Sequence, residues 1–200
     1  MSETTTDAAA TTTSGLPTLT ELGDLVRARR TAMFVDRERE VPHALVAELC
    51  DLAQWAPNHK RTWPWRFALL EGEARARLGE AIADVMADLG DPEPKVAKTR
   101  TKYLRTPALL VLGAAPGDSD LRTAENRDAA AAGMQNLLLG ATAAGLASYW
   151  GSVAKGANDV VAELCGFEPG THVVGMVYLG WPVDTLEAPE RPPVEVRFLA

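Results

Sequence analysis

Cysteine and histidine are scarce in this 200-residue chain, which has two of the first and three of the second. Neither Cys50 in "AELCDL" nor Cys165 in "AELCGF" has a second Cys or a His at metal-ligand spacing. A zinc centre of the usual kinds therefore has no ligand set, and the aliphatic flanks read as two buried free thiols. That pattern fits a reducing, cytoplasmic setting. No run approaches the ~20 apolar residues of a membrane-spanning helix. The start, "MSETTTDAAATTTSG", has neither the basic residues nor the apolar stretch of a secretory signal. Positive charge is also in deficit: the formal net charge is −7 and the pI about 5.0, which disfavours nucleic acid or an anionic membrane as partner. The phosphate-cradling GxxxxGK[ST] loop, HExxH, CxxC and GxSxG are all missing.

What is present is an ordinary globular composition, 46% hydrophobic and 24% charged, long enough for one substantial core. Residues 1–17 read as a disordered Thr/Ala-rich tail and 18–200 as a single domain. "TLTELGDLVRARR" opens with Thr18 three residues before Glu21, a capping-box spacing, and predicts a helix ending near Arg29 and Arg30. "VPHALVAELCDLAQWAP" predicts a second helix between Pro42 and Pro57. "WRFALLEG" reads as a strand, "EARARLGEAIADVMADLG" as a helix, and "DPEPKVAKTRTKYLRTP" as a loop leading into a short helix. "PALLVLGAA" suits a strand buried on both faces. Residues 121–145 predict a long alanine-rich helix, apolar around its circumference after Arg127 and so buried on all sides. "LASYWGS" reads as a strand, "NDVVAELCGF" as a helix capped by Asn158, and "HVVGMVYLGWP" as a last buried strand. The proline-rich remainder is extended. This order predicts an α+β domain with a central sheet and a long core helix.

Candidate chemistry gathers at the ends of these elements. Arg29, Arg30 and Thr31 follow the first helix, and two guanidiniums with a hydroxyl suit a phosphate. A solvated helix C-terminus, where arginine meets the dipole, explains the same residues. In "SYWGSVAKG", Gly151 and Ser152 after Trp150 would let backbone N–H groups approach a flat ligand; a plain strand-to-helix turn is the alternative. "WAPNHKRTWPWRF" crowds Trp55, Trp63, Trp65, His59, Lys60, Arg61 and Arg66 between a helix and a strand. "YLGWP", followed by Arg191 among prolines, closes the chain. His43 and His172 read as surface or packing residues.

Taken together, the "RRT" helix end, "APNHK" leading into "WPWRF", the long helix "AAAAGMQNLLLGATAAGLASYW" and the terminal "VVGMVYLGWP" resemble the nitroreductase family of FMN-dependent oxidoreductases, closest to its compact bacterial members. The match spans roughly residues 18–197. The resemblance implies a central mixed β-sheet flanked by helices, and a homodimer of domain-swapped type with FMN at its interface. Arg29, Arg30, Thr31 and Arg191 would hold phosphate and ribityl oxygens, Trp150, Gly151 and Ser152 would line the flavin ring, and Trp55 and His59 would reach the flavin of the partner subunit. It implies hydride transfer from NADH or NADPH through FMN to a nitroaromatic, quinone or related small-molecule acceptor, with no metal and no protein acid or base named. Two other readings share the fold: another use of reduced FMN, such as dehalogenation, dehydrogenation or flavin fragmentation, or a flavin-binding dimer without turnover. Three positions depart from the family pattern. Met33 stands where many relatives have Lys or Arg, Trp55 where compact members often have Arg, and Trp63 where Gln commonly precedes Pro-Trp.

Overall fold

A computed structural model describes residues 15–199; most of the expected N-terminal tail, residues 1–14, lies outside the described residues. The first helix, α1 (Leu19–Ala28), begins as its spacing predicts. Thr18 Oγ1 accepts from the Glu21 amide at 3.2 Å, and the Glu21 carboxylate accepts from the Thr18 amide at 2.7 Å, so two orphan helix donors are satisfied reciprocally. Next come β1 (Val35–Asp36), α2 (His43–Gln54), β2 (Trp65–Leu70), α3 (Glu73–Asp88) and α4 (Glu93–Lys102). The order finishes with β3 (Ala108–Ala114), α5 (Asp120–Ala143), β4 (Ala147–Gly151), α6 (Asn158–Leu164) and β5 (His172–Pro182). Prolines 42 and 92 sit as caps at the starts of α2 and α4, where a missing N–H costs nothing.

The five strands form one sheet in the order β1-β5-β3-β2, with β4 also on β5. All four ladders are antiparallel, and the sheet is mixed only at its margin, where Thr31 bridges Ser148 in parallel. β3 is buried at every position, as its unbroken apolar run predicts, and its side chains alternate between two cores. Leu110 and Leu112 join Leu49, Trp65, Met134 and Leu137 under α2 and α5. Leu109 and Val111 join Leu78, Ile82, Met86 and Tyr103 under α3 and α4. The period of two thus welds both helix layers to one strand.

α5 differs from expectation. Ala129, Ala130, Gly133, Met134, Leu137 and Ala141 are buried, but Ala132, Gln135 and Ala143 are exposed. The sheet and α2 cover one side of the helix, while among the described residues α1 packs only lightly on it, so part of its surface around Gln135 stays open. Gly133 fits against α2 and β2 so closely that an added Cβ would stand 2.6 Å from both the Ala53 carbonyl and Trp65 Nε1.

Three local readings also change. Asn158 opens α6 as its first helical residue, with Ala157 at the cap. Its amide side chain instead accepts from the Val173 amide at 2.8 Å and donates to the Thr171 carbonyl at 3.0 Å, tying α6 to β5. Cys50 and Cys165 are free but half-buried rather than fully enclosed. The two-residue strand β1 had no signal of its own, being too short for a periodic pattern.

Candidate functional site

α1 ends at Ala28 because the chain leaves helical geometry at Arg29, where ψ is 128°. The segment then turns along the sheet edge: Thr31 bridges Ser148, and the Ala32 amide donates to the Ser148 carbonyl at 3.0 Å. This fixes the "RRT" residues beside β4, two positions from Trp150. Arg30 donates from Nη1 back to the Arg27 and Arg29 carbonyls, so the helix-capping role of its guanidinium is realised. Arg29 differs. Among the described residues its side chain makes no hydrogen bond or ion pair, and neither does that of Arg191.

These two free cations meet in space. Arg29, Arg30 and Arg191 line a cavity of about 440 Å³ with Val26 and Gln135, the last supplied by the exposed side of α5. An adjoining hollow of about 270 Å³ adds Thr31 and Glu187. Unpaired guanidiniums that share a concave surface suit an anion, because each retains charge-assisted donors that no carboxylate among the described residues takes up. Gln135 belongs to this lining and had no sequence signal, since an isolated Gln in an alanine-rich helix reads as a solvated position.

Trp150, Gly151 and Ser152 follow along β4 and its exit. The Trp150 indole donates to the Val174 carbonyl at 3.3 Å and lies over Gly175, where a Cβ would stand 2.0 Å from Nε1. Gly151 is buried, and a Cβ there would stand 3.1 Å from Tyr178 and 3.2 Å from Tyr149. Its missing side chain therefore also serves the edge-to-face packing of those two rings. Ser152 is exposed. Met33 is half-buried against the α3–α4 core, so it offers that site neither charge nor polarity.

Trp55 and His59 do not line the arginine cavity of their own chain. Trp55 caps the end of α2 and is 78% exposed, with its indole donating to Asp51 at 3.3 Å. His59 lies in a single 3₁₀ turn, His59–Arg61, within a loop where Lys60, Arg61 and Trp63 have φ of 63°, 52° and 51°. Left-handed backbone costs a non-glycine residue about 1–2 kcal/mol. Side chains hold it there. Asn58 donates to Thr62 Oγ1 at 3.0 Å and accepts from the Trp63 amide at 2.9 Å, and Thr62 donates to the buried Asn126 of α5. His59 Nδ1 is 2.8 Å from Glu125. Glu125 and Asn126, more than 60 residues away in sequence, could not have been paired with this loop from residue order alone.

A family model for the Nitroreductase family matches residues 26–181. The chain is 26% identical over 181 residues, 88% of its length and 92% of the relative's, to YfhC of Bacillus subtilis, which is named provisionally as an NAD(P)H nitroreductase. The crystal structure of a nitroreductase-like family protein from Bacillus cereus superposes with a TM-score of 0.75 at 28% identity, covering 91% of this chain and 98% of that one. An FMN-bound nitroreductase from Bacteroides fragilis superposes at 0.74 with 18% identity, covering 90% and 99%, and shares the fold. With the helix order, the edge-strand geometry and the match over most of its length in agreement, the chain belongs to the Nitroreductase family.

Proposed function

We propose that this protein is an FMN-dependent oxidoreductase that takes hydride from NADH or NADPH and passes it to nitroaromatic, quinone or related small-molecule acceptors. It works as a homodimer with FMN at the subunit interface. The observation that carries this reading is the cavity in which Arg29 and Arg191 stand without partners, next to the β4 edge. FMN has a dianionic phosphate at one end and a planar ring at the other, and the chain has cations at one end of this region and the Trp150–Gly151–Ser152 strand edge at the other. The donor set fits.

Arg29 and Arg191 bind the phosphate, Arg30 stiffens the end of α1 that carries Arg29, and Thr31 supplies a hydroxyl for the ribityl chain. Trp150, Gly151 and Ser152 wall the ring, and Trp55 and His59 approach it from the partner subunit. FMN, when bound, supplies the two-electron chemistry, and the protein groups orient ligands and keep water from the reacting face. The dimer draws support from apolar groups that a lone chain leaves in water. Leu22 and Val26 of α1 are 45% and 46% exposed, and Val194 and Phe198 of the C-terminal arm 87% and 91%.

The test is direct. The purified protein is yellow, has twice the 21.4 kDa chain mass by light scattering, and oxidises NADH or NADPH when a nitroarene or quinone is added. Arg29→Ala combined with Arg191→Ala removes two charge-assisted contacts of about 1.5–3 kcal/mol each, so FMN binds at least about 100-fold more weakly while the urea midpoint holds. A colourless protein that neither takes up FMN nor oxidises nicotinamide rejects the reading. FMN binding without nicotinamide oxidation selects the flavin-binding dimer or another use of reduced FMN instead.

A further inference from the structure

His59 is presented by a loop that its own side-chain contacts hold in an unfavourable conformation, and a second set of contacts holds the ring itself. Nδ1 lies 2.8 Å from Glu125 Oε1. A carboxylate can only accept, so Nδ1 carries the hydrogen, and in the neutral ring Nε2 is left as an acceptor. Among the described residues Nε2 has no partner, and the side chain is 57% exposed. Glu125 is gripped in turn by Arg122 one helical turn earlier. Arg122 Nη1 also stands 3.1 Å from Nδ1. With Nδ1 donating to Glu125 it cannot accept from Arg122 as well, so the guanidinium acts on the carboxylate.

The Arg122 and Glu125 side chains are only 19% and 26% exposed, so this pair is better shielded from solvent than the exposed ion pairs whose worth is small. The result is an imidazole with one nitrogen anchored by a withdrawn carboxylate and the other offered outward, the same second-layer logic that orients histidines in functional sites.

We infer that Glu125 is a positioning residue acting through His59: it fixes the Nδ1–H tautomer and the ring orientation, so that Nε2 accepts a hydrogen bond from a ligand hydroxyl or N–H. Naming that ligand as the partner subunit's FMN rests on the function proposed above; the tautomer does not. Arg122 holds Glu125 in place, and the strained loop keeps the ring from following the ligand.

Two measurements test this. In flavin-free protein, ring-nitrogen NMR of His59 at mildly alkaline pH reads Nδ1–H in the wild type and in Glu125→Gln, whose amide oxygen still accepts. Glu125→Ala moves the ring to Nε2–H. An Nε2–H ring in the wild type, or no change in Glu125→Ala, overturns the inference. The second measurement is FMN affinity by fluorescence. His59→Ala and Glu125→Ala each weaken binding about tenfold, Glu125→Gln stays within about threefold of wild type, and Glu125→Ala has no further effect in the His59→Ala background.

Equal losses from Glu125→Ala in both backgrounds make Glu125 a plain structural tie and overturn its role through His59. Glu125→Asp, one methylene too short to reach Nδ1, replaces Glu125→Ala if the latter does not fold. A wild type that holds no FMN rejects the flavin reading, and the tautomer measurement then decides the positioning role by itself.

Discussion

Cys50 and Cys165 illustrate how burial sets reactivity one residue at a time. Desolvation pushes both thiols up to about 11, so at neutral pH almost none of either is thiolate. Both should react with a disulfide reagent far more slowly in the native protein than in denaturant, and equal rates in the two states would contradict this. Gly133 makes a steric prediction at the same scale. Its absent Cβ would press on Ala53 and Trp65, the latter donating to the Ala129 carbonyl at 3.3 Å. Gly133→Ala should therefore lower stability by about 1–3 kcal/mol, read as a shift in urea midpoint. Residue types left two readings open here: "RRT" suited an anion or a solvated helix end, because guanidiniums serve both. That Arg30 turns back to cap α1 while Arg29 stays free was not legible, because adjacent identical side chains differ only in where the chain sends them.

Among the elements, those with strong periodicity or clear punctuation were readable. β3 is an unbroken apolar run, α2 lies between Pro42 and Pro57, and α1 begins with a capping box, so all three stand within a residue or two of expectation. The loop from Asn58 to Trp63 was not readable, since nothing in Lys60, Arg61 or Trp63 signals left-handed backbone, which glycine or asparagine would. Tertiary hydrogen bonds impose it. Asn58→Ala removes two of them and should cost about 1–2 kcal/mol, with faster amide exchange confined to residues 59–63. Unchanged exchange there would show that Thr62, His59 and their α5 partners suffice. α5 taught a different lesson: its uniform apolarity signalled burial on every side, but the sheet and α2 cover one side, and among the described residues α1 covers the rest only in part.

Across the whole molecule, charge and connectivity produce effects that no single element shows. Burial, with the nearby positive charge of Arg127 adding to it, holds the His172 imidazole below its ordinary 6.5. The folded protein therefore binds that proton more weakly than the unfolded chain, and stability falls as pH drops through 6.5. Thermal midpoints between about pH 8 and 5.5 should decline less in His172→Gln than in the wild type; parallel curves would contradict the linkage. The Arg66 hydrogen bond holds the Glu168 carboxyl below its ordinary 4.5, so its contribution is lost only in a separate, more acidic window. Among the described residues, the C-terminal arm beyond Pro182 belongs to no ladder. Ending the chain at Val183 should leave the far-UV spectrum nearly unchanged while FMN binding weakens at least about tenfold through loss of Arg191. Composition, apolar periodicity and turn residues were enough to establish an α+β chain with a buried central strand, because these signals act over a few neighbouring residues. The meeting of Arg29 with Arg191 was implied by the family resemblance and by no local signal, and that of His59 with Glu125 came only from the folded chain, since both pairs join segments that sequence spacing leaves far apart and that folding brings together.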